Sequence, residues 1–456
     1  MPDLSSGDTA WVLASTALVL LMTPGLAFFY GGMTRSKSTL NMMMMSFLTI
    51  AIVSVLWVLY GFAEAFGHGT SGLFGSFDLS ALTSGAVKLT VNGTVYPIPL
   101  LAFAAFQLMF AIITPALISG AIADRAKILT WGVFVVLWVT LVYFPVAHWV
   151  FDFGDTKGTG AGWLAGLGVE DFAGGTAVHI NAGAAGLALA LVLGKRVGWR
   201  TDPMRPHNTP LVLLGTGLLW FGWFGFNAGS ALGANFSAAV ALINTQVATA
   251  AAVLGWLLVE KVRDKRVTSL GAASGAVAGL VAITPACAFV APWAAVVLGL
   301  LAGVVCAFAV GLKWRLGFDD SLDTVGVHLV GGIVGCVFVG FFGTSAILGA
   351  NGLLYGGGAA LLGKQALAVV AVLTYSFVLT WVLGTVLDRT LGFRVSREDE
   401  LEGIDVSQHS ESAYDFDSLV GDWLERTGLG SGSEGPQPTA TELPPAYEGD
   451  DERVMV

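Results

Sequence analysis

Eleven apolar runs dominate this sequence, near residues 9–30, 41–64, 98–121, 128–150, 174–194, 209–229, 239–260, 268–286, 292–311, 325–346 and 366–388. Each is long enough to cross about 30 Å of hydrocarbon as a helix. In lipid a backbone must satisfy its own hydrogen bonds, so runs of this length imply helices. The predicted fold is therefore an all-α polytopic membrane protein with eleven transmembrane helices. Composition agrees: 55% of the 456 residues are hydrophobic and 12% charged, where an ordinary soluble chain carries roughly a quarter charged.

Charge is unevenly placed. From residue 390 onward there are 16 acidic and 4 basic residues, against 16 and 18 before it. A nearly neutral body precedes an acidic tail. Three units are expected: a transmembrane domain over 1–389, a cytoplasmic segment over 390–426, and a disordered acidic stretch over 427–456, poor in hydrophobics. Alternate loops hold 14 positive charges, including Arg35, Arg125, Lys195, Arg196 and Lys313, and the other loops hold Lys88, Lys157 and Lys364. The positive-inside bias puts the N-terminus outside and the C-terminus in the cytoplasm. No basic patch suggests nucleic acid as a partner. Cys287, Cys306 and Cys336 lie in apolar runs without metal-type spacing, so neither a metal nor another cofactor is expected.

A pattern occurs twice. Asp171 precedes His179 by eight residues, with Gly183 and Gly186 beyond; Asp320 precedes His328 by eight, with Gly332 and Gly335 beyond. Ile113-Thr114-Pro115 in the third run matches Ile283-Thr284-Pro285 in the eighth. Correspondence of runs three and five with eight and ten implies a five-helix unit used twice, about 9–194 and 209–346, plus an extra helix at 366–388. Five crossings invert the second copy, an architecture of transporters with a site between the halves. Eight residues of helix rise about 12 Å, carrying each histidine toward mid-bilayer from opposite sides. Positions +4 and +7 share a helix face with it. Buried histidines also serve as ties between helices, but a symmetry-related ionisable pair inside a membrane points to function. Two further pairs, Phe106 with Phe110 and Phe226 with Ser230, are four apart on single faces. Aromatic faces beside a hydroxyl suit a small cation.

With these residues in place, the chain resembles the Amt/Mep/Rh ammonium transporter family, in its Amt branch. The resemblance rests on DFAGGTAVHIN from Asp171, FYGG at 29–32, FQLMFAIITPA at 106–116, WFGFNAGSA at 223–231, GAASGAVAGLVAITPA at 271–286 and DDSLDTVGVH at 319–328. It extends over about residues 8–415. It implies a homotrimer with one pore per subunit, a transporter or channel rather than an enzyme. By motif, Phe106 and Ser230 would form an outer ammonium site organised by Asp171. Phe110 and Phe226 would close the pore mouth, and His179 and His328 would be the twin histidines of the pore. The family usually has a tryptophan at the end of the fourth helix; Phe151 stands there, with Trp149 two residues earlier. Asp171 is open to two roles, capping the fifth helix or accepting a proton.

The mechanism so implied is binding of ammonium outside, deprotonation, and passage as ammonia through an apolar pore where a bare ion is costly. The proton is relayed by the His179–His328 pair, acting as a unit, or the protein conducts ammonia alone. A membrane ammonium sensor signalling through its tail is the alternative. Residues 400–416 resemble the family's regulatory motif, with Ser410 where glycine is usual. The resemblance also implies a PII-type signal protein at the cytoplasmic face.

Overall fold

The computed structural model describes residues 4–415, apart from 68, 70, 71, 80, 84–88, 92, 93 and 155–160. The acidic stretch 427–456 and residues 416–426 of the preceding segment lie outside the described residues. Among the described residues, ten helices are long and apolar enough to cross a membrane: Ser6–Met33, Ser36–Phe66, Leu100–Ile122, Ile128–Phe151, Gly175–Leu193, Thr209–Gly229, Phe236–Arg263, Pro292–Leu316, Val325–Phe342 and Ala360–Thr390. The eighth apolar run forms a shorter helix, Ser269–Ile283. These eleven, in chain order, are spans one to eleven. Between spans two and three, Leu89–Val91 and Thr94–Tyr96 pair antiparallel with Leu89 opposite Tyr96.

The repeated Ile-Thr-Pro triplet has two outcomes. Pro115 lies inside a helix that continues to Ile118, whereas the eighth helix stops at Ile283. In both, the threonine hydroxyl donates back one turn: Thr114 to the Phe110 carbonyl at 2.7 Å and Thr284 to Leu280 at 2.8 Å. Such bonds help a membrane helix tolerate proline. At the second copy the chain leaves the helix, and the Pro285 carbonyl accepts the Phe172 amide at 3.2 Å. That bond ties span eight to the entrance of span five.

Small residues set the helix spacing, as expected where no hydrophobic force drives association in lipid. A Cβ at Gly215 of span six would lie 2.3 Å from the Phe29 amide nitrogen of span one. One at Gly299 of span nine would lie 2.1 Å from the Ala248 carbonyl of span seven. Backbone meets backbone at both crossings.

The end of the bundle that carries the basic loops is held by buried ions. Arg196 donates Nε and Nη2 to the two Asp319 oxygens, both at 2.9 Å, and pairs with Asp124 at 3.1 Å. Arg125, fully buried, donates to the Asp319 carbonyl at 2.6 Å and to the Ser321 hydroxyl at 2.6 Å. Burial alone would raise the Asp319 carboxyl; hydrogen bonds and charge from Arg196, with Arg125, bring it down to about 2.

The segment after span eleven docks on this end. Buried Glu400 accepts the Val197 amide at 2.6 Å and Arg394 Nη2 at 2.8 Å. Asp405 accepts the Leu40 and Asn41 amides at 3.0 and 2.8 Å, satisfying donors at the start of span two. His409 Nε2 meets Asn41 Oδ1 at 3.0 Å, and the Tyr414 hydroxyl meets His207 at 2.8 Å and Asn208 at 3.2 Å. Ser410, where the family pattern has glycine, takes the left-handed conformation at φ +55°.

Candidate functional site

Each histidine is delivered by a capped helix start. Asp171 Oδ1 accepts the amides of Gly174 (2.8 Å) and Gly175 (2.6 Å), while Oδ2 accepts the Thr176 amide (2.7 Å), the Thr176 hydroxyl and the Ala177 amide (3.4 Å). In the second half Asp320 accepts the Thr324 and Val325 amides at 3.1 and 2.7 Å. Both caps stand eight residues before their histidine, so one local solution is used twice.

The turns that follow are wider than α-helix. Gly175–Ile180 and Val325–Leu329 are π-helical and contain His179 and His328 respectively. Wide turns of this kind occur often at functional sites. The α-helical spacing expected from sequence therefore begins only beyond each histidine. Across the middle the two glycine positions exchange roles. A Cβ at Gly183 would lie 2.4 Å from the amide of Leu329, the neighbour of His328, and one at Gly332 would lie 3.0 Å from Ile180, the neighbour of His179. The absence of both side chains lets the two histidine-bearing turns touch.

The rings form a continuous row. Phe106 and Phe110 are 5.0 Å apart between centroids, Phe110 and Phe226 4.3 Å, Phe226 and His179 5.9 Å, and His179 and His328 5.4 Å. The two imidazoles lie 28° from parallel. Both are buried, and His179 Nδ1, His179 Nε2 and His328 Nδ1 have no hydrogen-bond partner among the described residues. A buried polar atom is normally bonded, so three such nitrogens on two neighbouring rings mark a place for a polar guest.

Beside them runs a narrow apolar cavity lined by Met22, Leu26 and Phe29 of span one, by Trp223 and Phe226 of span six, and by His179 and His328. Its free volume is about 10 Å³, on the order of one water-sized molecule. At the Phe106 end, the Ser230 hydroxyl donates to the Phe226 carbonyl at 2.9 Å, and its lone pairs remain acceptors.

Phe151 ends span four and packs near Gly174, where a Cβ would lie 3.5 Å from its ring. Among the described residues it has no ring contact with Phe106 or Phe110. Trp149 is committed elsewhere, with its indole N–H donated to the Leu73 carbonyl at 2.6 Å and its ring 4.6 Å from Tyr375.

One participant escaped the sequence analysis. Trp223 lies over His179 at 5.4 Å and 23°, and donates Nε1 to the Thr284 hydroxyl at 2.9 Å. The signal was its position three residues before Phe226, on the same helix face. Span one contributes Met22 and Leu26 to the cavity wall, and nothing in their local sequence distinguishes them from lipid-facing residues.

The family model described as Ammonium Transporter Family matches residues 10–414. An ammonium transporter of Mycobacterium tuberculosis is 56% identical over 441 residues, covering 91% of each chain. One of Bacillus subtilis is 46% identical over 411 residues, covering 90% of this chain and 98% of its own. Among solved structures, "Sensor Amt Protein" superposes with a TM-score of 0.81 at 30% identity, covering 88% of this chain and 98% of the other. Mep2 of Saccharomyces cerevisiae superposes at 0.77 with 33% identity, covering 87% and 91%. Sequence, fold and the paired-histidine centre agree: the chain belongs to the ammonium transporter family, as a transporter or channel and not an enzyme.

Proposed function

We propose that this multi-pass membrane protein binds ammonium at an outer site formed by Phe106 and Ser230, strips its proton, and passes ammonia between Phe110 and Phe226 to the histidine pair. The observation that carries this reading is the buried row of rings ending in two imidazoles, three of whose nitrogens have no hydrogen-bond partner among the described residues. A charged ion in so narrow an apolar cavity loses its hydration without repayment. Ammonia loses far less, and its lone pair and N–H groups match imidazole nitrogens that accept or donate. In deprotonation one N–H bond breaks and its proton moves to a basic acceptor. The His179–His328 pair then relays that proton, since imidazole both accepts and donates.

Asp171 supports the outer site by position. Five donors already occupy its two oxygens, which suits a cap that fixes span five better than a proton acceptor. Phe151 borders the same helix start, as the aromatic residue in the place where the family has tryptophan.

Current recording on reconstituted protein under an ammonium gradient tests the relay. Ammonium-dependent current in the native protein, reduced in His179→Asp and His328→Ala, is the expected result. Unchanged current in both variants rejects the relay, and uptake without current leaves ammonia conduction alone.

The remaining family features belong to the same proposal. Residues 1–389 act as the transport domain, 390–426 as a regulatory segment, and 427–456 as an acidic disordered tail. The N-terminus lies outside and the C-terminus in the cytoplasm, which the distribution of basic loops supports; accessibility of single cysteines placed in those loops checks it. The protein assembles as a homotrimer in the cell membrane and accepts a PII-type signal protein at its cytoplasmic face, readings that the family resemblance supports. Native mass measurement and pull-down with a PII protein test them.

A second reading is an ammonium sensor signalling through the tail. It is favoured by the docking of residues 397–414 on the transport body and by the shared fold with a structure titled "Sensor Amt Protein". It predicts ammonium-dependent tail movement with little uptake.

A further inference from the structure

At the end of span five the chain makes a tight basic turn that the transport pathway does not use. Lys195, Arg196, Trp199 and Thr201 from this turn, with Arg394 and Arg397 from the segment after span eleven, line an open pocket of about 540 Å³. Among the described residues no carboxylate lines it. Its four cations are not equivalent. Arg196 is neutralised by Asp319 and Asp124, and Arg394 by Glu400. Lys195 and Arg397 have no ion pair or hydrogen bond among the described residues. Two charges are left facing one cavity from two different parts of the chain.

The rim adds aromatic surface. Trp199 stacks on Trp314 at 5.4 Å and 13°, and Lys195 Nζ sits 4.6 Å from the Trp199 ring centre. The turn follows the last residue of one span and lies beside Trp314, near the end of another, so the pocket stands at the level where aromatic residues and lipid headgroups meet. Basic pockets at this level attract anionic headgroups. Guanidinium and ammonium groups together suit phosphate, with the planar fork of arginine taking two oxygens. The volume falls within the range of small-molecule pockets and exceeds what inorganic phosphate alone needs.

We propose that this pocket binds a phosphate-bearing organic anion, held chiefly by Lys195 and Arg397, and that the bound anion bridges the turn after span five to the segment after span eleven. The phosphate belongs either to an anionic lipid headgroup or to a soluble phosphate compound. Asp202 stands just behind the lining, its carboxylate against Gly198 of the pocket wall, where a Cβ would be 2.0 Å from it, and its negative charge opposes an anion there.

The test uses the full chain in two arms. In one, protein in nanodiscs of phosphatidylcholine with or without phosphatidylglycerol is examined by native mass spectrometry for retained anionic lipid. In the other, detergent-solubilised protein is titrated with ATP and with pyrophosphate. Binding in the lipid arm, the soluble arm or both is expected, and the pattern names the source of the phosphate. Lys195→Ala and Arg397→Ala should each weaken that binding roughly tenfold, as for a charge-assisted hydrogen bond, and added salt should weaken it further. Asp202→Asn should strengthen it, a change in the opposite direction that loss of folding does not produce. The proposal fails if no phosphate-bearing probe binds, or if the Lys195→Ala/Arg397→Ala double variant binds as tightly as the native chain. Neither outcome bears on ammonium transport, because binding is read directly.

Discussion

Single side chains at the centre do work that their neighbours define. Trp223 illustrates this, since its ring covers His179 and its N–H reaches across to Thr284. Removing the ring in Trp223→Ala opens a cavity costing about 3–5 kcal/mol and frees the imidazole to turn. Trp223→Phe keeps a smaller ring beside the imidazole and loses part of the indole's packing with one hydrogen bond, the bond costing about 1 kcal/mol because Thr284 retains its bond to Leu280. Thermal melting in detergent, paired with ammonium uptake, should rank the native protein above Trp223→Phe and Trp223→Phe above Trp223→Ala on both scales. At the turn after span eleven the residue scale works in reverse. Ser410 occupies a left-handed conformation that costs a side-chain-bearing residue roughly 1–2 kcal/mol. Ser410→Gly should therefore dock the tail more firmly, seen as slower proteolysis within residues 397–415. Faster cleavage would contradict that account.

Elements meet at the two histidine-bearing π-helical turns, and their contact is governed by what is missing from Gly183 and Gly332. At Gly183 an added methyl group would strike backbone at 2.4 Å, which cannot move aside. At Gly332 the nearest atom is a side-chain carbon of Ile180 at 3.0 Å, which adjusts more easily. Gly183→Ala should cost about 1–3 kcal/mol through overpacking and abolish conduction by separating the histidines. Gly332→Ala should be milder in both melting temperature and uptake; equal effects would show that the contact is not the constraint. The helix starts are governed by their aspartates. Asp171→Ala leaves several amide donors and a hydroxyl without an acceptor, a loss of about 2 kcal/mol or more by the usual cost of a lost cap. Asp171→Asn retains an acceptor oxygen and should restore part of the stability. A restored melting temperature with restored uptake supports the capping role.

Over the whole molecule, the buried ions join three distant parts of the chain: the loop after span three, the turn after span five, and the loop before span ten. Asp319 is the shared acceptor. Its carboxyl is shifted down from 3.8 to about 2, so its contribution is complete above the unfolded value and disappears as pH falls through the folded one. The shift corresponds to about 2 kcal/mol. The difference in melting temperature between native protein and Asp319→Asn should hold constant from about pH 7 to about pH 4 and shrink toward about pH 2. A difference that already shrinks near about pH 5 would place the pH dependence elsewhere. Glu400 extends the same network into the segment after span eleven. That segment is therefore tied to the body by buried charge together with apolar packing, Phe393 lying 5.6 Å from the Phe134 ring and Ile404 being fully buried.

Eleven crossings, a membrane environment and the twofold pattern of aspartate, histidine and glycine were all legible in the chain. Each depends on local hydrophobicity or on residue spacing, which no folding partner alters. The Ile-Thr-Pro triplets show where that legibility stops: identical locally, one continues its helix and the other ends it, because only Pro285 has the Phe172 amide to accept. Likewise the sequence leaves Asp171 open to capping, the favoured role, or to proton acceptance, and only the fold gathers five donors around its carboxylate. The widened turns at His179 and His328, Trp223 lying against the first imidazole, and the placing of Met22 and Leu26 in the wall of the cavity beside the histidines arise from contacts between residues far apart in sequence. Only the packed bundle brings those residues together, and so only tertiary structure decided them.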